Sequence, residues 1–171
     1  MVAYDSFICE DGREPVKAYS DKNPNNKHAM SITIDKACID KYADRYFTEH
    51  PRATKMPIPY PYHESINKWM IMKRPQMNCL KQKWKDFIVW LVDTNGLTNK
   101  KIQCCDIEQR VFFPTNRRHD IDNTVPKFIL DGLVESGLIE DDDSLHIKHL
   151  IMSCGVDKDN PRTELIITIL Q

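Results

Sequence analysis

The residues best suited to chemistry lie in Arg117-Arg118-His119-Asp120-Ile121-Asp122-Asn123-Thr124-Val125-Pro126-Lys127 and in the acidic turn Glu140-Asp141-Asp142-Asp143-Ser144. Asp120 and Asp122 stand one residue apart, Lys127 follows shortly, and a second acidic group returns further along. Divalent-metal nucleases need this kind of layout. Hard carboxylate oxygens hold Mg2+ or Mn2+, and a nearby cation offsets the charge that builds on the phosphate during attack.

The elements that must position these groups are a strand, a helix and a second strand. Val111-Phe112-Phe113 reads as a strand ending near Pro114. If the chain stays extended through Asp120 and Asp122, period two puts both carboxylates on one face. Asn123 or Thr124 is placed to cap a helix that tolerates Pro126 in its first turn. Val125, Phe128, Ile129 and Leu133 line one face of that helix, and Gly137 ends it. Leu138 and Ile139 lead back to the acidic turn, so Asp120, Asp122 and one of Asp142 or Asp143 are expected to meet at one end of the unit. The competing reading of the acidic pair is a solvated strand end beside a helix N-terminus. His119 is read as a surface residue.

Upstream, Trp84, Phe87, Ile88, Leu91 and Val92 recur at helical spacing, and Asn95-Gly96 stops that helix. Lys73, Arg74, Lys81, Lys83 and Lys85 form a basic stretch around it, suited either to phosphate contact or to a solvated helix face. Residues 101–113 suit one strand or two short ones. His146 to Met152 and Glu164 to Leu170 read as two further strands, with a polar turn from Gly155 to Pro161 between them. Asp157 to Thr168 fails as a calcium loop, because Arg162 stands where the central glycine is required and Thr168 where the glutamate is. Residues 1–60 say less: Asp11-Gly12 and Asn23-Pro24-Asn25-Asn26 are turns, Thr33 caps a short helix carrying Ile34, Ala37, Cys38 and Tyr42, and Pro51 to Pro61 is an extended connector.

Composition narrows the classes. The chain has 171 residues and a formal net charge of -1, with 41% apolar and 29% charged residues, which is ordinary for a globular domain with its own core. Any basic surface must therefore be local. No long apolar run offers a membrane span, and no apolar leader is visible, so a cytoplasmic protein is expected. Cys9, Cys38, Cys79, Cys104, Cys105 and Cys154 show no metal-finger spacing and read as free thiols, with neither Cys104 nor Cys105 a nucleophile.

Taken together these residues resemble the RusA-type Holliday junction resolvases. The likeness rests on Asp120-Ile121-Asp122-Asn123, the lysine after it, Leu130-Asp131-Gly132-Leu133, Gly137 and Asp142-Asp143-Ser144, with Arg117-Arg118 ahead of the acidic pair. Ser65-Ile66-Asn67-Lys68-Trp69 is similar to the family's Pro-Ser-x-Asn element, with Glu64 in place of the proline. The resemblance covers residues 61–171 as a RusA-like domain and leaves 1–60 as an N-terminal extension. Two departures stand out. Lys127 lies one position late, with Pro126 in the family lysine's place, and one residue rotates a helix by about 100°. The acidic turn carries three aspartates instead of two, so counting from Ser144 selects Asp143 and counting from Gly137 selects Asp142; Asp143 is preferred.

The resemblance implies an α+β fold, a small mixed β-sheet packed with helices, in a homodimer. It implies a Mg2+- or Mn2+-dependent endodeoxyribonuclease that cuts four-way DNA junctions by paired nicks, an activity common in phages and prophages. Asp120, Asp122 and Asp143 would be the metal ligands, with Asp142 the alternative, and Lys127 would stabilise developing charge. Asn67, Lys68, Lys73, Arg74, Arg117 and Arg118 would contact DNA, mostly through phosphates. A non-cleaving branched-DNA binder and a flap or branch nuclease of the same fold are the alternatives.

Overall fold

The computed structural model describes residues 29–170. The expected turns at 11–12 and 23–26, and Cys9, lie outside them. The fold is α+β. Strands β1 (Ala29–Ile34), β2 (Cys105–Phe113), β3 (Ile147–Val156) and β4 (Arg162–Ile169) form one sheet in the order β1-β4-β2-β3. β4 runs antiparallel to both β1 and β2, and β2 runs parallel to β3, so the sheet is mixed. Helices α1 (Lys36–Glu49), the single-turn α2 (Ile66–Trp69), α3 (Arg74–Thr94) and α4 (Lys127–Glu135) complete it.

The core gathers on one face of β2. Cys105, Ile107, Gln109, Val111 and Phe113 are buried in strict alternation, and Leu165 and Ile167 are buried on the neighbouring strand β4. Trp84, Phe87, Ile88 and Val92 of α3, and Ile129 and Leu133 of α4, pack into the cluster that holds Cys105, Ile107, Leu165 and Ile167. The apolar period expected for α3 and the helix stop at Asn95-Gly96 are both present, with Gly96 at φ +65. β2, α4 and β3 form the expected strand–helix–strand unit, its parallel strands joined through the helix.

One expectation is corrected. Ile34 belongs to β1, not to a helix; Asp35 caps α1 instead of Thr33, its Oδ1 accepting the Cys38 N–H at 2.8 Å. Residues 29–49 are built into the fold, because β1 pairs with β4 and Ile32, Ile34, Ile39 and Tyr42 enter the core. The last two strands do not pair with each other: β4 lies between β1 and β2, while β3 forms the opposite edge. The polar turn between them is held by Asp157 Oδ1, which accepts the N–H groups of Asp159 and Asn160.

The connector at 51–64 is pinned at several points. Ile58 is fully buried, Thr163 Oγ1 donates to the Pro61 carbonyl at 2.6 Å, and Trp84 Nε1 donates to Glu64 Oε2 at 2.8 Å. Glu64 thus holds the segment against α3. Among the described residues the cysteines are free, and burial pushes the Cys38 and Cys105 thiols up to about 11, where a thiolate is scarce. Among the same residues no helix is long and apolar enough to cross a membrane.

α3 and α4 meet where α4 has no side chain. A Cβ on Gly132 would lie 2.6 Å from Ile88 Cβ, an atom fixed to the backbone of α3. Alanine would add helix preference of about 1 kcal/mol. Forcing the helices apart costs more, so Gly132→Ala is expected to destabilise the fold by about 1–3 kcal/mol net. Urea unfolding measures this, and an unchanged midpoint would place the two helices further apart than described.

Candidate functional site

The chain after β2 does not stay extended to Asp122. Asp120 keeps an extended backbone, but Ile121–Thr124 closes into a 3-10 turn. Thr124 Oγ1 donates to the Ile121 carbonyl at 2.7 Å, and the Asn123 N–H donates to the Asp120 carbonyl at 3.1 Å. Buried Gln109 on β2 clamps the turn onto the sheet by donating Nε2 to the Thr124 carbonyl at 2.9 Å. With about three residues per turn, Asp122 points well away from the direction that strand alternation would give it. Both aspartates are exposed.

Helix α4 begins at Lys127, with Pro126 flanking it and neither Asn123 nor Thr124 capping it by a side chain. His63 does that work across the fold. Its Nε2 accepts the Phe128 N–H at 3.3 Å, and its Nδ1 lies 2.8 Å from the Glu64 carbonyl. Burial pushes the His63 imidazole below its ordinary value, which suits the neutral tautomer this pair of contacts requires.

Lys127 is aimed at the acidic turn. Its Nζ donates to Asp142 Oδ2 at 2.7 Å and to Asp131 Oδ1 at 3.0 Å, and Lys81 of α3 reaches Asp131 at 2.9 Å. A chain Lys81–Asp131–Lys127–Asp142 therefore ties α3, α4 and the acidic turn together. Burial opposes the charge on Lys127, but the hydrogen bonds to Asp142 and Asp131 outweigh it and hold the ammonium above its ordinary value. In the sequence Asp131 stands out only within Leu130-Asp131-Gly132-Leu133; the signal for its role is its i, i+4 spacing from Lys127.

Asp143 faces elsewhere. Its Oδ1 accepts the N–H groups of Leu145 and His146 at 2.8 and 3.1 Å and lies 2.7 Å from His146 Nδ1, at the start of β3. The His146 contact leads the causes that hold its carboxyl below the usual range. Geometry therefore favours Asp142 over Asp143 as the acidic group turned toward Lys127.

Asp120, Asp122 and Asp142 have the donor chemistry that Mg2+ or Mn2+ takes. Their arrangement does not fit one ion as it stands. Among the described residues no three of His, Cys, Asp or Glu gather as a metal-holding group. Asp142 is hydrogen-bonded to Lys127, Asp143 to His146, and Arg118 lies 3.5 Å from Asp120.

The basic residues divide. Lys81 pairs with Asp131 and Lys85 with Glu135, so these two bridge α3 to α4. Lys73, Arg74, Arg117 and Arg118 are exposed. Asn67 of α2 donates to Asn123 Oδ1 at 2.8 Å, joining the 65–69 element to the 3-10 turn across a separation of 56 residues. Lys68, Arg118, Asp120 and Asn123 line one pocket of about 300 Å3. A second depression, near the end of α1, is lined by none of these residues. No family model matches the chain, and no curated protein matches it in sequence.

Proposed function

We propose that this chain is a structure-specific endodeoxyribonuclease of the RusA type, acting as a homodimer on four-way DNA junctions. One observation carries the reading. Three elements far apart in sequence, 65–69, 117–127 and 140–144, are joined by Asn67–Asn123 and Lys127–Asp142 hydrogen bonds. They are the same elements that carry the resemblance.

In this reading the side chains divide the work. Lys127, held in place by its carboxylate neighbours, sets a fixed cation where negative charge builds on a phosphate. Asp131 and Asp142 orient it. Arg117, Arg118 and Lys68 hold the DNA backbone, and a two-fold dimer presents two such surfaces to the arms of a junction. Dependence on Mg2+ or Mn2+ belongs to the proposal through the resemblance and through the donor chemistry of Asp120, Asp122 and Asp142.

The test is cleavage of a four-way junction, a flap and a linear duplex, with Mg2+ and with a chelator. Paired nicks in the junction alone, lost with the chelator, are expected. Cleavage of the flap in preference to the junction would replace the substrate. A mobility shift without nicks would favour the second reading, a branched-DNA binder, which the ungathered carboxylates support.

Arg117 and Arg118 give a separate measure. Arg118→Ala or Arg117→Ala is expected to weaken junction binding and to reduce the slope of log K against log salt by about one for each phosphate no longer neutralised. An unaltered slope would remove that arginine from the interface.

A further inference from the structure

We propose that the pocket beside Asp120 receives a single unstacked nucleobase from the branch point of DNA. The inference rests on the reading above, that branched DNA is the ligand, and adds a base-binding site to it.

The walls of the pocket are aromatic. Tyr60 and Tyr62 stack with ring centroids 5.5 Å apart and planes 8° from parallel. Phe113 and His119 stack at 3.7 Å and 5°. The edge contact of Tyr62 with Phe113, at 5.0 Å and 60°, joins the two stacks into one lining. Tyr60 is 52% exposed, so solvent reaches the aromatic lining at this residue. Ser65, Asp120 and Asn123 offer hydrogen bonds, exposed Lys68 and Arg118 supply positive charge, and His63, Glu64 and Thr124, already hydrogen-bonded to Phe128, Trp84 and Ile121, complete the polar lining.

That combination matches a nucleotide. A base has apolar faces that stack on rings and a polar edge that takes hydrogen bonds, and its phosphates sit outside with cations. The volume, about 300 Å3, is at the small end of ligand pockets and has room for a base. Bases inside a duplex are paired and stacked; a branch point offers bases that leave the stack at lower cost. Placing one base beside Asp120 would fix which phosphate lies against the acidic elements. Spacing does not single out these aromatic residues, because Tyr60 and Tyr62 come from the connector, Phe113 from the end of β2 and His119 from the loop after it.

The experiment uses the full chain and four-way junctions carrying 5-iodouracil at successive positions around the branch point. Irradiation of the saturated complex is expected to cross-link one position to Tyr60, Tyr62 or His119, identified by mass spectrometry, and not to do so with a linear duplex of the same sequence. Tyr60→Ala, at an exposed side chain, is expected to lower junction affinity by about 5- to 150-fold, the loss of one stacking partner, with duplex affinity unchanged. Tyr60→Phe restores it. A saturated junction complex whose cross-links lie elsewhere or are absent would overturn the pocket and leave the proposed function standing. Failure to bind branched DNA at all would overturn both. Equal losses for junction and duplex in Tyr60→Ala would also overturn the pocket.

Discussion

Asp122→Asn and Asp142→Asn are each expected to slow junction cleavage by about 10²–10³, whereas Asp143→Asn leaves it close to the unaltered rate. Asp122 enters as a metal ligand that the proposed reading implies; Asp142 and Asp143 are adjacent and alike in side chain, yet the geometry gives them different work. Asp142 orients Lys127 at 2.7 Å, while Asp143 closes the turn before β3 and holds His146. A preorganised group facing a developing anion is worth about 10²–10³ in rate, and Lys127 loses its orientation without the Asp142 carboxylate. Unfolding does not account for such losses, since the Lys127–Asp142 pair is partly exposed and pairs of that kind contribute about 0–1 kcal/mol to stability. Junction binding should survive in Asp122→Asn, or tighten, because a charge that repels phosphate is gone. Single-turnover nicking together with a mobility shift reads both quantities. Greater loss for Asp143→Asn than for Asp142→Asn would reverse the assignment, and wild-type nicking by Asp122→Asn would remove that residue from the site.

Asp142 and Asp143 are indistinguishable in the sequence because the question is one of register. Counting from Gly137 and counting from Ser144 differ by one position, and no local pattern chooses between them. What chooses is distance across the fold, from the first residue of α4 to the turn before β3. The 3-10 turn is hidden for a similar reason. Extended backbone through Asp122 is compatible with the residue types, but Gln109, buried on β2, pulls the Thr124 carbonyl onto the sheet and closes the turn. That hydrogen bond spans 15 residues and is invisible to periodicity.

Other features are legible because they are local. The apolar spacing from Trp84 to Val92 marks α3 without help from the rest of the chain, and Gly137, at φ +70, ends α4 where a residue of that conformation is needed. β1 escapes notice because Thr33 and Asp35 both have capping side chains, and only pairing with β4 shows that the strand runs through Ile34. Sheet order follows the same division. The strand–helix–strand unit from β2 to β3 can be read, since a helix lies between its strands; the insertion of β4 between β1 and β2 cannot, since long-range packing decides it.

Lys127→Ala should move two measurements in opposite directions. The rate of junction cleavage is expected to fall by about 10²–10³, as for loss of any fixed charge facing a developing anion. Affinity for Mn2+ is expected to rise by a few-fold. Lys127 neutralises Asp142, so an added cation must compete with the ammonium for that carboxylate. Without Lys127, Asp142 loses its partner, and Asp131 keeps only Lys81. An ion pair of this exposure is worth about 0.2–1 kcal/mol, which converts to at most about fivefold in binding. Isothermal titration with Mn2+, set beside single-turnover cleavage, separates the two effects. Folding is not at stake, because Lys127 is 45% exposed and its pairs are replaceable by water. An unchanged rate would show that the one-residue displacement of this lysine has taken it out of the reaction. A lowered rate with no gain in Mn2+ affinity would instead place Asp142 outside any cation site and confine it to orienting Lys127.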